Sequence, residues 1–237
     1  MTFRPPTEYE QVELLCLGSD AGSDAQNKRG QNAFVENEAQ LPIQGSDTSE
    51  AQASPIQWGP KVDDLFRTNV PGISAIGDVI TMGTGAHPQL AHLSSAEGVI
   101  LAERIAGENP QPINYDHIPG CTYCDPEIGS IGLTEAEAKK RGFDVVVGTF
   151  PFGVLGRAKI AGETEGFVKI VADKKYDEVL GVHMIGPRAT ELVAEAGVAL
   201  RLESTVEELI RTIHAHPTMS EAVAEAAHAV HGSAIHM

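Results

Sequence analysis

Cations are scarce in this chain. Lys and Arg number 17 against 33 Asp and Glu, a formal net charge of −16 at pH 7. Nucleic acid and anionic membrane surfaces both reward clustered Lys and Arg, so neither is expected as a partner. Long apolar runs are missing as well, and no stretch reaches the length that crosses a bilayer. The opening MTFRPPTEYEQ has neither the basic start nor the apolar stretch of a secretory signal, which sets the expectation of a cytoplasmic protein. Cysteine is rare: Cys16, Cys121 and Cys124 are an odd number in a chain of ordinary core size, which argues against a disulfide scaffold and for a reducing compartment. What is present is a hydrophobic fraction of 42 %, ample for a buried core in 237 residues. Small molecules and other proteins are the natural partners.

The apolar pattern divides the chain into three parts. Residues 1–60 are rich in Gly, Ser, Asp, Asn and Gln. Stretches such as GSDAGSDAQNKRGQN hold neither a period of 2 nor one of 3.6, so this acidic segment is expected to have little order, apart from a short apolar patch at Val12 to Leu17. Residues 61–111 read as strand, loop, helix: VPGISAIGDVI is a short apolar segment, and QLAHLSSAEGVILAERIAG has helical spacing with a glycine stop. A proline-rich joint, ENPQPINYDHIP, then opens a second domain over 112–237.

Local signals in that domain are explicit. LTEAEAKKRG has Thr134 at an N-cap position, Glu137 three residues on as its capping-box partner and Gly142 as a stop. VVVGTFPF, FVKIVAD and EVLGVHMIG are β-branched and aromatic runs, the last two joined by the polar KKYD of a hairpin. TELVAEAGVALRL, TVEELIRTI and SEAVAEAAHAVHG are amphipathic helices. Strands first and helices afterwards predict an α+β fold, an antiparallel sheet with helices on one face.

The string that carries chemistry is TIHAHPTMSEAVAEAA. On one reading Thr218 caps the last helix with Glu221 as its N3 partner, and His216 is an ordinary turn residue. On the other, Pro217 stiffens the turn and the helix start holds Glu221 in place. Its carboxylate then binds one imidazole nitrogen of His216, stabilises the charged form and leaves the other nitrogen to act as a base.

At these residues the chain resembles the pyridine nucleotide-disulfide oxidoreductases, which carry HPTxSE near their C-terminus; the HxHPT form is most like their dihydrolipoamide dehydrogenase branch. VDDLFRTNVPGISAIGDV, QLAHLSSAEG, CDPEIGSIGLTEAEAKKRG and GFVKIVADKKYDEVLGVHMIGPRATELV extend the resemblance, in the family's order, from Val62 to Met237. It implies an interface domain over 112–237, preceded by the C-terminal remnant of an α/β FAD-binding domain, in a homodimer that oxidises dihydrolipoamide with NAD. His216 would take a proton from the dithiol substrate at the partner subunit's site, and Glu221 would orient it. AIGDV is similar to the second flavin motif, with Gly77 at the strand end and Asp78 accepting hydrogen bonds from the ribityl hydroxyls of FAD. Gln89 stands where the family usually has Met, and Leu90, Ala91 and His92 would bring a helix start to the flavin's pyrimidine edge.

Departures from the family are equally plain. Its GxGxxG motifs for FAD and NAD and its CxxxxC redox pair do not occur in these residues. The expectation is therefore a truncated chain supplying the base and the dimer interface, with a partial FAD site and no NAD domain. Two alternatives stay open: an inactive dimerisation module, or half of a split enzyme completed by a separate N-terminal half and serving a lipoyl-bearing complex. A mercuric or glutathione reductase relative fits less well. Cys121 and Cys124 have CxxC spacing, but neither a redox nor a zinc role is expected of them, and no metal site is expected from the tail histidines His228, His231 and His236.

Overall fold

A computed structural model describes residues 59–82 and 87–236. The low-order segment expected before residue 59, with Cys16 and the Val12 to Leu17 patch, lies outside the described residues. The chain divides after Ile113 into two compact units.

In the first unit two short parallel strands, β1 (Lys61–Val62) and β2 (Thr81–Met82), precede helix α1 (Ala91–Ile105). Leu93, Glu97 and Leu101 recur every four residues and are its buried side chains, so one stripe faces inward. Gly107, with φ +87°, follows the last turn, as the glycine stop predicts. The strand expected over VPGISAIGDVI is broken up. Pro71 and Gly72 form a turn closed by the Ile73 N–H donating to the Val70 carbonyl, the pairing nearby is reduced to isolated bridges such as that between Arg67 and Ser74, and Gly77–Val79 form a single 3₁₀ turn. Gly77 needs φ +76°, which a residue with a side chain rarely adopts. Val62, Phe66, Ala75, Ile76, Ile80 and Leu101 form the core here.

The second unit is an antiparallel sheet with helices. Strands β3 (Gly120–Thr122), β4 (Ile128–Gly132), β5 (Val145–Pro151), β6 (Phe167–Asp173) and β7 (Val179–Ile185) pair in the order β3-β4-β7-β6-β5. Helices α2 (Glu135–Lys140), α3 (Gly156–Ala161), α4 (Ala189–Arg201), α5 (Val206–Arg211) and α6 (Glu221–Val230) fill the intervals and the C-terminal end. Thr134 caps α2 through its side-chain oxygen, which accepts from the Glu137 N–H at 3.2 Å, while the Glu137 carboxylate turns to Arg141 instead of closing the box. KKYD makes the β6–β7 hairpin, its turn held by Asp173, whose carboxylate accepts from the Tyr176 N–H.

Val168, Ile170 and Ala172 of β6 alternate onto the main core with Val193, Ala196 and Leu200 of α4 and Val223, Ala226 and Ala227 of α6. A bulge shifts the β6–β7 register between Val171 and Ala172, so Val179 joins that core and Leu180 joins a smaller cluster with Val171 and Ala138. The two long helices lie close on the sheet. A Cβ added at Gly129 of β4 would sit 2.4 Å from the Ala189 carbonyl oxygen, and one at Gly148 of β5 would sit 2.2 Å from the Ala226 carbonyl oxygen. Among the described residues no helix is long and apolar enough to cross a membrane.

Candidate active site

The segment joining α5 to α6 carries the proton-transfer candidates. Helix α5 ends at Arg211; its C-cap, Thr212, is already extended, and Ile213 then projects outward, 96 % exposed. His216 follows, with a cis bond to Pro217. Its Nδ1 lies 2.8 Å from Glu221 Oε1; the imidazole is 74 % exposed and the carboxylate 17 %. The other carboxylate oxygen, Oε2, accepts from the Thr218 N–H at 2.9 Å. Glu221 thus binds both the imidazole and the Thr218 N–H, but the capping reading fails in its particulars, because Glu221 is the first residue of α6 and not the third after a Thr218 cap. Thr218 does not return the favour, because its hydroxyl donates to the Ala215 carbonyl at 2.6 Å, and the N-cap residue is Ser220, with no side-chain cap of its own.

Burial alone would raise the pKa of the Glu221 carboxyl. The His216 and Thr218 hydrogen bonds and the nearby imidazole charges outweigh it, and the carboxyl titrates below the usual glutamate value. An ionised, hydrogen-bonded carboxylate beside Nδ1 fixes the ring and leaves Nε2 turned outward, with no hydrogen bond to it among the described residues. Such a pair can take a proton from an acid that reaches it.

The flavin-side candidates belong to the first unit. Gly77 is buried and Asp78 half-buried in the 3₁₀ turn, where the Ser94 hydroxyl donates to Asp78 Oδ1 over a long 3.4 Å. Among the described residues this weak bond is the carboxylate's one side-chain hydrogen bond, which leaves acceptor capacity to spare. Gln89, Ala91 and His92 are exposed and Leu90 is half-buried. Leu90 is the N-cap of α1 and contributes no side-chain cap, and the first turn holds no acidic residue, so the helix start presents its backbone N–H groups without a capping side chain from Leu90.

Sequence reasoning missed a second histidine–glutamate pair here. Glu97 Oε2 accepts from the Gly77 N–H at 2.7 Å and Oε1 lies 2.8 Å from His87 Nε2, with both side chains closed to water at 0 % and 1 %. His87 Nδ1 is buried and has no hydrogen-bond partner among the described residues. The signal was available: a glutamate occupies the middle of the Leu93, Glu97, Leu101 stripe, where an apolar residue would be expected.

The cysteine pair does not close. The Cys121 thiol points toward the Thr190 carbonyl and the Cys124 thiol toward the Pro126 carbonyl, and both are free. Burial, with the charges of Glu127 and Glu191, pushes the Cys121 thiol up, away from thiolate reactivity. His228, His231 and His236 are bound to Ser233, Asp177 and Glu225 respectively, three separate partners, and among the described residues no three metal-ligating side chains come together.

Comparison with known proteins agrees with this architecture. Residues 118–227 match the pyridine nucleotide-disulphide oxidoreductase dimerisation domain. The dihydrolipoyl dehydrogenase of Bacillus subtilis is 50 % identical over 175 residues, covering 74 % of this chain and 36 % of that protein; that of Halobacterium salinarum is 48 % identical over 176 residues, with the same coverage. Among solved structures, LpdA of Mycobacterium tuberculosis superposes with a TM-score of 0.64 at 29 % identity, over 71 % of this chain and 36 % of that one. The HOCl-induced flavoprotein disulfide reductase RclA of Escherichia coli follows with a TM-score of 0.61 at 27 % identity, over 68 % and 36 %. The chain spans a little over a third of the length of these relatives. Its second unit is thus similar, over residues 118–227, to the dimerisation domains of the pyridine nucleotide-disulphide oxidoreductases, and the chain is similar to the C-terminal part of dihydrolipoyl dehydrogenases.

Proposed function

We propose that this chain supplies the proton-transfer pair and the subunit interface of a dihydrolipoyl dehydrogenase-like disulfide oxidoreductase. Residues 61–111 would be the end of its FAD-binding domain and residues 112–237 the interface domain of a homodimer. The observation that carries the reading is the 2.8 Å bond between an outward-facing His216 and a mostly buried, ionised Glu221.

In that role His216 Nε2 takes the proton of a substrate thiol. The sulfur keeps its electron pair and attacks a disulfide provided by the part of the enzyme that these residues do not contain, forming a mixed disulfide as the original S–S bond breaks and its other sulfur leaves as a thiolate. Glu221 balances the charge gained by the ring, and its bond to Nδ1 keeps Nε2 aimed outward. The next turnover begins when the proton has left the ring.

The first unit fits one side of an FAD site. The spare acceptor capacity of Asp78 suits ribityl hydroxyls, and the donors at the start of α1, near Gln89, Leu90, Ala91 and His92, suit an electron-rich pyrimidine edge. Bound FAD would carry electrons between the enzyme disulfide and NAD. A second reading, a dimerisation module without activity, follows from the absence of the redox disulfide and both dinucleotide fingerprints from these residues.

The two readings part in a rebuilt enzyme, made by joining this chain to an N-terminal half that contains the disulfide and dinucleotide sites. There His216→Gln should lower dihydrolipoamide oxidation by about 10²- to 10⁴-fold, the loss expected for a general base. Retention of most of the turnover would remove His216 from the mechanism.

A further inference from the structure

His214, two residues before the candidate base, is built into the protein in a different way. Its side chain is only 7 % exposed, and each ring nitrogen faces an oxygen: Nδ1 lies 2.9 Å from the Thr212 carbonyl and Nε2 lies 2.6 Å from Glu195 Oε1. A carbonyl oxygen only accepts, so Nδ1 must carry a hydrogen; an ionised carboxylate only accepts, so Nε2 must carry one too. A neutral imidazole has a single N–H and would set a lone pair against one of these oxygens. Glu195, in the middle of α4, is 30 % exposed, so water supports its charged form.

We infer that His214 is held as an imidazolium and acts as a positioning residue, pinning the α5–α6 connection to α4 so that His216 and Glu221 keep their geometry. The connection runs from Thr212 to Ser220 without regular structure, and of Ile213, His214, Ala215, His216 and Pro217 only His214 is turned inward. On its far side the same stretch is held by Thr218, through its hydroxyl to Ala215 and its N–H to Glu221. His216 therefore sits between two anchors, one provided by α4 and one by the first residue of α6. The Glu195 hydrogen bond, working against burial, shifts His214 toward its protonated form, and the charges of Glu195 and Glu221 and the Thr212 carbonyl add to it. Any benefit of this anchoring to proton transfer rests on the proposed role of His216. The anchoring itself does not.

Nitrogen-15 NMR of the whole chain reads the ring directly: at neutral pH both His214 nitrogens should be protonated, and a lone-pair nitrogen in that ring would overturn the assignment. Amide hydrogen exchange then tests positioning. His214→Gln, and independently Glu195→Gln, should speed exchange of the Thr218 N–H by about 10- to 100-fold, the loss of a charge-assisted hydrogen bond, while the β6–β7 ladder keeps its protection. Unchanged Thr218 exchange in a folded variant would overturn the inference. So would a uniform rise across the sheet, which would make His214 a general stabiliser. Should His214→Gln fail to fold, Glu195→Gln keeps the shape of the side chain and carries the test. Loss of the His216 effect on turnover would sink the proposed base without altering these exchange results.

Discussion

Two histidine–glutamate pairs in this protein are closed at the same 2.8 Å, His87 with Glu97 and His216 with Glu221. In the first, helix α1 carries the acid on its inward stripe and both side chains are shut away from water. In the second, the acid is the first residue of α6 and is mostly covered, while the imidazole stands in solvent. The distance between the partners therefore says little about what a pair does. What matters is whether the nitrogen remote from the acid can meet another molecule. His216 Nε2 can, whereas His87 Nδ1 is enclosed. Glu97 also holds the Gly77 N–H, so the buried pair fixes the turn bearing Asp78 and shapes the neighbouring surface.

Substitutions can break this contrast, beginning with the largest expected effect. Glu97→Ala leaves the Gly77 N–H and His87 buried without their acceptor and should destabilise the first unit by about 3–5 kcal/mol, the range for removing one partner of a buried pair. Exchange of the Gly77 amide and of α1 would show it, and a loss well under 1 kcal/mol would mean that water enters the pair. Glu221→Ala should cost less, about 1 kcal/mol, as for a lost helix-start acceptor, since one of its partners is already in solvent. Denaturant unfolding followed on the second unit measures this.

Changing the pH acts on the segment that carries the exposed pair, through Glu221 and the neighbouring His214. Glu221 titrates below the ordinary 4.5 when folded, so its contribution is complete above that value and is lost as the pH falls through the folded one. His214 titrates above the ordinary 6.5 when folded; its contribution is complete below 6.5 and is lost as the pH rises through the folded value. Melting temperatures should accordingly hold a plateau between about pH 4.5 and 6.5 for these two groups, and His214→Gln should flatten the alkaline limb. A limb that survives the substitution would assign it to another group. The smallest effect belongs to His216→Gln, which should change stability by no more than about 0.5 kcal/mol because the ring is exposed. Set beside its large expected effect on turnover, that near-neutrality would separate a residue kept for chemistry from one kept for folding.

What could be read from the residues follows the range of the interactions. Thr134 with Glu137, the KKYD hairpin and the pairing of His216 with Glu221 span three to five residues, within reach of local geometry. The strand–helix pattern was enough to predict the antiparallel sheet. Interactions across helices were not legible: nothing in HAHPT marks Glu195, 19 residues away, as the partner of His214, and nothing in GTGAHPQ marks His87 as the partner of Glu97. The bulge at Leu180 was hidden for another reason, because VLGV alternates in neither register and only the β6 partner decides which side chain turns in. At VPGISAIGDVI the β-branched content outvoted Pro71 and Gly72, which in the folded chain govern the turn.

Gly148 acquires a meaning of its own in this light. Helix α6 spans ten residues, about 15 Å, and behaves as a stiff rod with Glu221 at one end and Ala226 to Val230 resting on the Gly148 backbone near the other. A rod seated this closely works as a lever. Lifting its far end by the thickness of a methyl group would tip the carboxylate at the near end, although that methyl touches neither His216 nor Glu221. The missing side chain at Gly148 thereby calibrates the aim of the pair from a distance, and the sheet is the bench on which that aim is set.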